Sequence, residues 1–464
     1  MNKIVKISAL ILAVIFAGCY VFYKNSYIDF DRIVEKSVLK GKTFDKKPIE
    51  FVTPAGIKVW LLEDKQIKLI SMSFAFNKAG TAYDAEDKKG VSSIAAQMLD
   101  GGTKYLDYAA YHDLLDLNGI YIGFSADRDY FSGFMTTPST NEHHLTTNYK
   151  DTAFETLKKV LYEPRLDENY LKTLQMQFAT LVKTQKETPK SELNIRFKKE
   201  LFKNHPYSRT VEDMAEDVAA LKPQDIKEFL QNSLVKENII VSFAGDITKE
   251  DAIKYTDYLF NSLKENNDIQ ELNDPEIDLT PETVVINRDT AQVISSFALK
   301  GVKRLDADFY PLYIANYIFG GSGLTSRISL ETREKEGLTY GVYTYLSSDN
   351  KTPLILGSFS CVPENYEKMK TILFEQMDLL ATKGITKKEL DNAKKYLLAS
   401  YNLRFKSTLE LSNMLTEMQK YKLGLDFLQK RNDYVRNVTL QDVNNVIAKY
   451  YKDKPKEVAI GLIK

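Results

Sequence analysis

The chain has 464 residues, 63 Lys plus Arg against 63 Asp plus Glu, and 44% hydrophobic residues, with 28 Tyr and 24 Phe among them. That length leaves room for about three domains, and the balanced charge gives no net field to attract nucleic acid or an anionic surface. Cys19 and Cys361 lie far apart and suggest no disulfide framework, so Cys361 reads as an ordinary buried thiol.

In chain order, Lys3 and Lys6 precede an apolar run over residues 7–23. As a helix the run spans about 25 Å, short for a bilayer core and long for the apolar part of a signal peptide. Phe16-Ala17-Gly18-Cys19 resembles a bacterial lipoprotein box, with Phe where Leu is usual. Residues 1–24 are therefore expected to be a signal or membrane anchor, placing the body in the periplasm or otherwise outside the cytoplasm. Residues 25–45 read as a polar connector.

The globular part begins near Pro48. Pro54-Ala55-Gly56 marks a turn between two alternating runs, and a third strand is expected over residues 67–76. Residues 90–103, GVSSIAAQMLDGGT, read as a helix with Val91, Ile94, Ala95 and Met98 in one apolar stripe. Ser93 and Gln97 point the same way from adjacent turns, with Ala96 beside them. A helix over 106–118, a hairpin of 120–124 with 129–136, and helices over 145–162 and 168–187 follow. Residues 201–209, LFKNHPYSR, form a turn in which His205 reads as a turn residue before Pro206. The four histidines, His112, His143, His144 and His205, include no pair at i+2, i+3 or i+4, so the sequence offers no zinc site of its own. A helix from 221, a buried strand over 238–245, a helix over 249–263 and an acidic linker over 266–280 complete this part.

The same order then recurs. Strands over 282–288 and 291–302, a helix over 308–323, a hairpin of 337–350 with 354–362, and helices over 366–382 and 387–401 repeat the earlier series. Residues 438–463, VTLQDVNNVIAKYYKDKPKEVAIGLI, echo LKPQDIKEFLQNSLVKENIIVSFAGDI element for element. Two homologous α+β halves, 46–265 and 281–464, are implied. In the second, Gly320-Gly321-Ser322-Gly323 ends one helix, and Thr325 or Ser326 can cap the next. That glycine run is a poor phosphate cradle, since no Lys-Ser/Thr follows and a helix, not a strand, precedes it. Arg333 and Tyr340 stand seven apart, with a helix stop at Gly337 that lets the phenol fold back toward the guanidinium. The plainer reading makes Arg333 a helix C-cap and Tyr340 a half-buried strand aromatic.

Taken together, the 90–103 helix, HPYSR and LETREKEGLTYGVY resemble the pitrilysin/insulinase (M16) family of zinc peptidases. The resemblance implies an α+β, metalloenzyme LuxS/M16-peptidase-like fold: two homologous halves, each a mixed antiparallel sheet with helices packed on it, around a chamber for an extended peptide. In active members the corresponding helix reads H-x-x-E-H, two zinc ligands around a general base. Those positions here are Ser93, Ala96 and Gln97, which neither ligate zinc well nor take a proton. The helix expected to supply a third, acidic ligand has none over 170–186. Arg333 and Tyr340 match the pair that reaches substrate and its tetrahedral intermediate, where their donors would stabilise a developing oxyanion; Gly320, Gly321, Ser322 and Gly323 match a loop that admits substrate backbone. Bacterial members include two-chain peptidases of the processing-peptidase-like (M16B) type. The resemblance thus implies a non-catalytic subunit, without bound cofactor, that forms a heterodimer with a zinc-bearing homologue and a composite site for peptide. An inert M16-fold scaffold or peptide-binding protein is the alternative. For an enzyme of different mechanism, no nucleophile–base pair stands out.

Overall fold

A computed structural model describes residues 46–140, 148–266, 268–401 and 405–463. The expected anchor (1–24) with Cys19, the connector (25–45), and His143 and His144 lie outside the described residues. Among the described residues no helix is long and apolar enough to cross a membrane.

The first half runs Ile49–Val52 (β1), Lys58–Glu63 (β2), Leu69–Asn77 (β3), Val91–Met98 (α1), Tyr108–Leu117 (α2), Tyr121–Ala126 (β4) and Tyr130–Pro138 (β5). It continues with Tyr149–Tyr162 (α3), Glu168–Glu187 (α4), Pro189–Phe202 (α5), Ala215–Ala220 (α6), Pro223–Ser233 (α7), Ile239–Gly245 (β6) and Lys249–Phe260 (α8). The second half repeats the plan with Thr283–Asn287 (β7), Val293–Lys300 (β8), Phe309–Asn316 (α9), the short Arg327–Ser329 (α10), Thr339–Ser348 (β9) and Pro353–Cys361 (β10). Tyr366–Lys383 (α11), Lys387–Tyr401 (α12), Thr408–Lys420 (α13), Phe427–Asn437 (α14), Leu440–Tyr450 (α15) and Lys456–Gly461 (β11) follow.

Strand order is β1-β2-β6-β3-β5-β4 in one sheet and β7-β11-β8-β10-β9 in the other. In each, the last strand of the half runs parallel to one neighbour and antiparallel to the other: β6 with β2 and β3, β11 with β7 and β8. The mixed α+β halves expected from the sequence are present.

Alternation along β3 separates two faces. Met72, Phe74 and Phe76 point outward into the first core, where α1 adds Ile94 and Met98. Ser71 and Ser73 point the other way, and there the covering helix is α13, from the second half. Ser71 Oγ meets Thr408 Oγ1 at 2.7 Å, Ser73 Oγ meets Ser412 Oγ at 2.7 Å, and Thr416 Oγ1 donates to Ser242 Oγ at 3.0 Å. Reciprocally, α5 of the first half covers the second sheet. Its Leu193 packs on Val458 and Ile460, and Leu201 and Phe202 pack with Ala298 and Leu354. Each half thus lends one helix to the inner face of the other's sheet, which ties the two halves together. Neither α5 nor α13 was anticipated from the sequence, nor were the short α6 or α14.

Candidate functional site

Helix α1 begins at Gly90, whose φ of 89° suits glycine. The buried carboxylate of Asp84 caps it, accepting from Gly90 N at 2.8 Å, Ser92 N at 3.2 Å and Ser92 Oγ at 3.0 Å. Arg209 holds the preceding loop through the carbonyls of Thr81 (3.2 Å) and Asp84 (3.0 Å). In the same HPYSR turn, His205 accepts from Tyr207 N at 3.1 Å and faces the Asn273 carbonyl at 2.9 Å. Both ring nitrogens are occupied and burial lowers the imidazole's pKa, so His205 is a neutral turn residue, as its sequence context suggests.

The apolar stripe of α1 is buried, and the degenerate positions occupy the remaining face. Ala96 is buried, Ser93 half-buried and Gln97 exposed, with Gln97 Nε2 donating to the Ser93 carbonyl at 3.3 Å. A hydroxyl, a methyl and a primary amide do not fit a zinc ion. Among the described residues no group of three His, Cys, Asp or Glu side chains is placed to hold a metal. Helix α4 is acidic only outside 170–186, at Glu168 and Glu187.

Burial pushes the Asp84 carboxyl from its ordinary 3.8 up to about 7, against the opposing pull of its three hydrogen bonds and of Arg209. A folded-state pKa raised above the unfolded value gives stability that is complete below about pH 4 and lost as pH rises through 7. The interval corresponds to roughly 4 kcal/mol. Hydrogen exchange of the amides from Gly90 to Ile94 should therefore quicken between about pH 4 and 7 beyond the intrinsic rate. Asp84→Asn should remove that dependence; an unchanged profile in the variant would place its origin elsewhere.

The second constellation is built on distorted helix ends. After α9 the chain widens into a π-type turn, Tyr317–Gly321, and a second follows the short Arg327–Ser329 helix over Leu330–Lys335. Turns of this kind are rare and concentrate at functional sites. Both regions read as regular helix from the sequence. Gly320 is buried against β9, where a Cβ would stand 2.9 Å from Thr344 N, so its role is close helix–strand packing. Gly321 and Gly323 are exposed and Ser322 half-buried. Ser326 caps the next helix through Ser329 N at 3.4 Å.

The Arg333 turn closes by Gly337 N donating to the Arg333 carbonyl (3.1 Å) and Leu338 N to the Thr332 carbonyl (2.8 Å), with Gly337 at φ 62°. It is the backbone of Arg333, not its guanidinium, that ends the helix. The side chain stays 35% exposed, and among the described residues its one ion pair is a loose 3.8 Å approach to the adjacent Glu334. In β9, Gly341 pairs with Ser360 and Thr339 with Cys361, which leaves Tyr340 as the extra residue of a β-bulge. The Thr339 hydroxyl fastens the bulge, accepting from Gly341 N at 3.0 Å and lying 2.6 Å from the Ser360 carbonyl it donates to. Bulges re-aim side chains, and Tyr340 is 83% exposed. The plainer reading of Tyr340 as half-buried does not hold.

The inner faces of both sheets continue past the exchanged helices onto the outermost hairpins. In the second half Tyr345 lies opposite Leu356 and Tyr343 opposite Ser358. In the first, Phe134 lies opposite Ser73 and Gly123, and Thr136 opposite Ser71 and Tyr121. Tyr121, Tyr343 and Tyr345 are exposed, the Tyr121 and Phe134 rings are 5.2 Å apart, and none of these positions is charged. β4 and β9 end their sheets, each with one edge open to pairing. These aromatic walls were missed in the sequence, where the hairpin alternation was the available signal. Helix α1 packs on β4, α4 and α7 of its own half, whereas the Arg333 turn packs on β9 and α11. The degenerate metal positions and the Arg333–Tyr340 pair therefore belong to different halves.

Comparison with known proteins agrees with this geometry. Residues 220–397 match the family described as the peptidase M16 inactive domain. The chain is 24% identical over 402 residues to the non-peptidase homolog YmxG of Helicobacter pylori, covering 85% of this chain and 89% of that protein. To the uncharacterized zinc protease YmxG of Bacillus subtilis it is 22% identical over 353 residues, covering 76% and 83%. Among solved structures, a peptidase M16 inactive domain from Pseudomonas fluorescens superposes with a TM-score of 0.80 at 22% identity, covering 89% of this chain and 97% of that one. A protease from Helicobacter pylori gives 0.77 at 19% identity, covering 89% and 99%. The resemblance to the M16 peptidases and the M16 fold itself are thereby shown.

Proposed function

We propose that this inactive M16-type chain is the zinc-free subunit of a two-chain peptidase outside the cytoplasm, pairing with a zinc-bearing homologue and lending Arg333 and Tyr340 to a composite site. One observation carries the reading. The positions that would bind metal and take a proton hold Ser93, Gln97 and Ala96, while Tyr340 is held out on a fastened bulge, 83% exposed, where it adds little to packing. An exposed phenol and an unburdened guanidinium supply donors to a carbonyl oxygen gaining charge, but neither supplies the nucleophile. The ion and its bound water must then come from another chain. The neutral aromatic walls and the open edges of β4 and β9 suit an extended peptide, which can add main-chain hydrogen bonds to a sheet edge.

The isolated chain should bind no stoichiometric zinc by metal analysis and cleave no peptide. Co-purification from native membranes should bring with it a homologue carrying H-x-x-E-H, and the pair should cleave. Protease treatment of intact cells should degrade the globular part if residues 1–24 tether it outside. One tightly held zinc per isolated chain, or turnover by that chain alone, would defeat the proposal. The second reading, an inert scaffold or peptide-binding protein, draws on the Helicobacter pylori relative described as a non-peptidase homolog. It expects a complex, or none, whose peptide turnover is indifferent to Arg333.

A further inference from the structure

On the outer side of the first half, α7 turns Lys227, Leu230 and Gln231 toward one cavity, which Leu234 at its C-terminal end also lines. The three helical residues are positions i, i+3 and i+4, a single helix face. The cavity measures ≈230 Å³, and its accessible apolar lining includes Tyr162, Pro164 and Leu263. Its polar residues include Lys227 and Lys264, and no carboxylate is among the residues that line it. Lys264 Nζ donates to a neutral partner, Asn232 Oδ1, at 3.0 Å. Among the described residues neither lysine forms an ion pair, although nearby Lys88 and Lys89 are each paired with aspartates, Asp225 and Asp217. An apolar cavity with two ammonium groups and no counter-charge is complementary to an anionic head on an apolar tail.

We propose that this cavity binds a single-chain fatty carboxylate, its tail against Tyr162, Pro164 and Leu263 and its carboxylate at Lys227 and Lys264. The volume lies below the ~300–1,000 Å³ of ordinary drug-sized sites, which rules out a two-chain lipid and favours a medium-length acid. The cavity opens on the face of the sheet away from Ser71 and Ser73, so it is separate from the proposed peptide surface and does not rest on that reading.

Calorimetric titration of the full chain with decanoate, decanol and decylammonium, each kept monomeric, tests the site. Decanoate should bind at one per chain and more tightly than decanol, and decylammonium should not bind measurably. Lys227→Glu with Lys264→Glu should weaken decanoate by about tenfold or more and leave decanol unchanged. Both lysines are exposed, so the fold is not at stake. Gln231→Trp, at another exposed position on the same helix face, should block all binding. Equal affinity for the three ligands, no saturable binding of decanoate, or decanoate binding indifferent to charge reversal would overturn the proposal.

Discussion

Arg333→Ala, assayed in the complex with the zinc-bearing homologue, should lower kcat by about 10²–10³-fold, the loss of roughly 2.7–4 kcal/mol associated with one oxyanion donor. Tyr340→Phe removes a single hydroxyl and should cost less. Both effects should fall on kcat, because donors aimed at a charge that develops during reaction contribute little to ground-state binding. Folding should hardly change. The Arg333 side chain is 35% exposed with only a 3.8 Å approach to Glu334, and Tyr340 is 83% exposed, so neither substitution opens a cavity or strands a buried polar group. Sizing of the complex and its denaturation midpoint serve as controls. If turnover survives both substitutions with assembly intact, the M16 fold here is a scaffold, and the bulge at Tyr340 has some other use.

The repeat of the two halves was legible because each half must solve the same burial problem. Alternating strands, a helix with one apolar stripe and a buried closing strand leave strong periodic signals, and these matched the eleven strands of the described residues in their order. The exchanged helices were not legible for a specific reason. Helix α13 lays Thr408, Ser412, Thr416 and Gln419 against Ser71, Ser73 and Ser242, a stripe at helical spacing made of hydroxyls and an amide. Hydropathy reads only the Leu411, Leu415 and Met418 part of that buried face and is silent on the polar part, which is satisfied by partners hundreds of residues away. Helix α5 carries Leu193, Phe197 and Leu201 on one face, but that face is buried only by β8 and β11 of the other half, so nothing local marks it as part of a core. The candidate site divides along the same line. Ser93, Ala96 and Gln97 follow from local spacing, whereas the π-type turns and the bulge depend on how α9 and β10 press on their neighbours. The widening at Gly320 answers to Thr344, twenty-four residues on.

Lys456→Met should destabilise the folded chain by about 3 kcal/mol, the low end of the cost of removing one partner from a buried ion pair. Lys456 is fully buried. Its ammonium lies 2.6 Å from Glu282 Oε1, 3.3 Å from Asp278 Oδ2 and 3.7 Å from Glu200 Oε2. Glu200 belongs to α5, Asp278 to the linker and Glu282 to the segment leading into β7, so a single cation ties the first half to the second through the connection between them. Without it, three carboxylates converge, with Lys203 left on Asp278 and Arg196 on Glu200. The side chains of Asp278 and Glu200 are 14% and 19% exposed and that of Glu282 is 49% exposed. Water reaches all three, which is why the low end applies. Lys203, with Thr280 and Lys456, holds the Asp278 carboxyl well below its ordinary 3.8. That contribution is present above the ordinary carboxylate range and is lost as pH falls below it, so the gap between wild type and Lys456→Met should persist from pH 5 to 8 and close in acid. Lys203→Met, at a side chain 63% exposed, should cost within about 1 kcal/mol. Denaturant melts followed separately in each half would show whether Lys456→Met also splits one transition into two, the outcome expected if this cation couples the halves. An unchanged midpoint would mean that the carboxylates hydrate freely, and that the exchanged helices α5 and α13 hold the halves together without it.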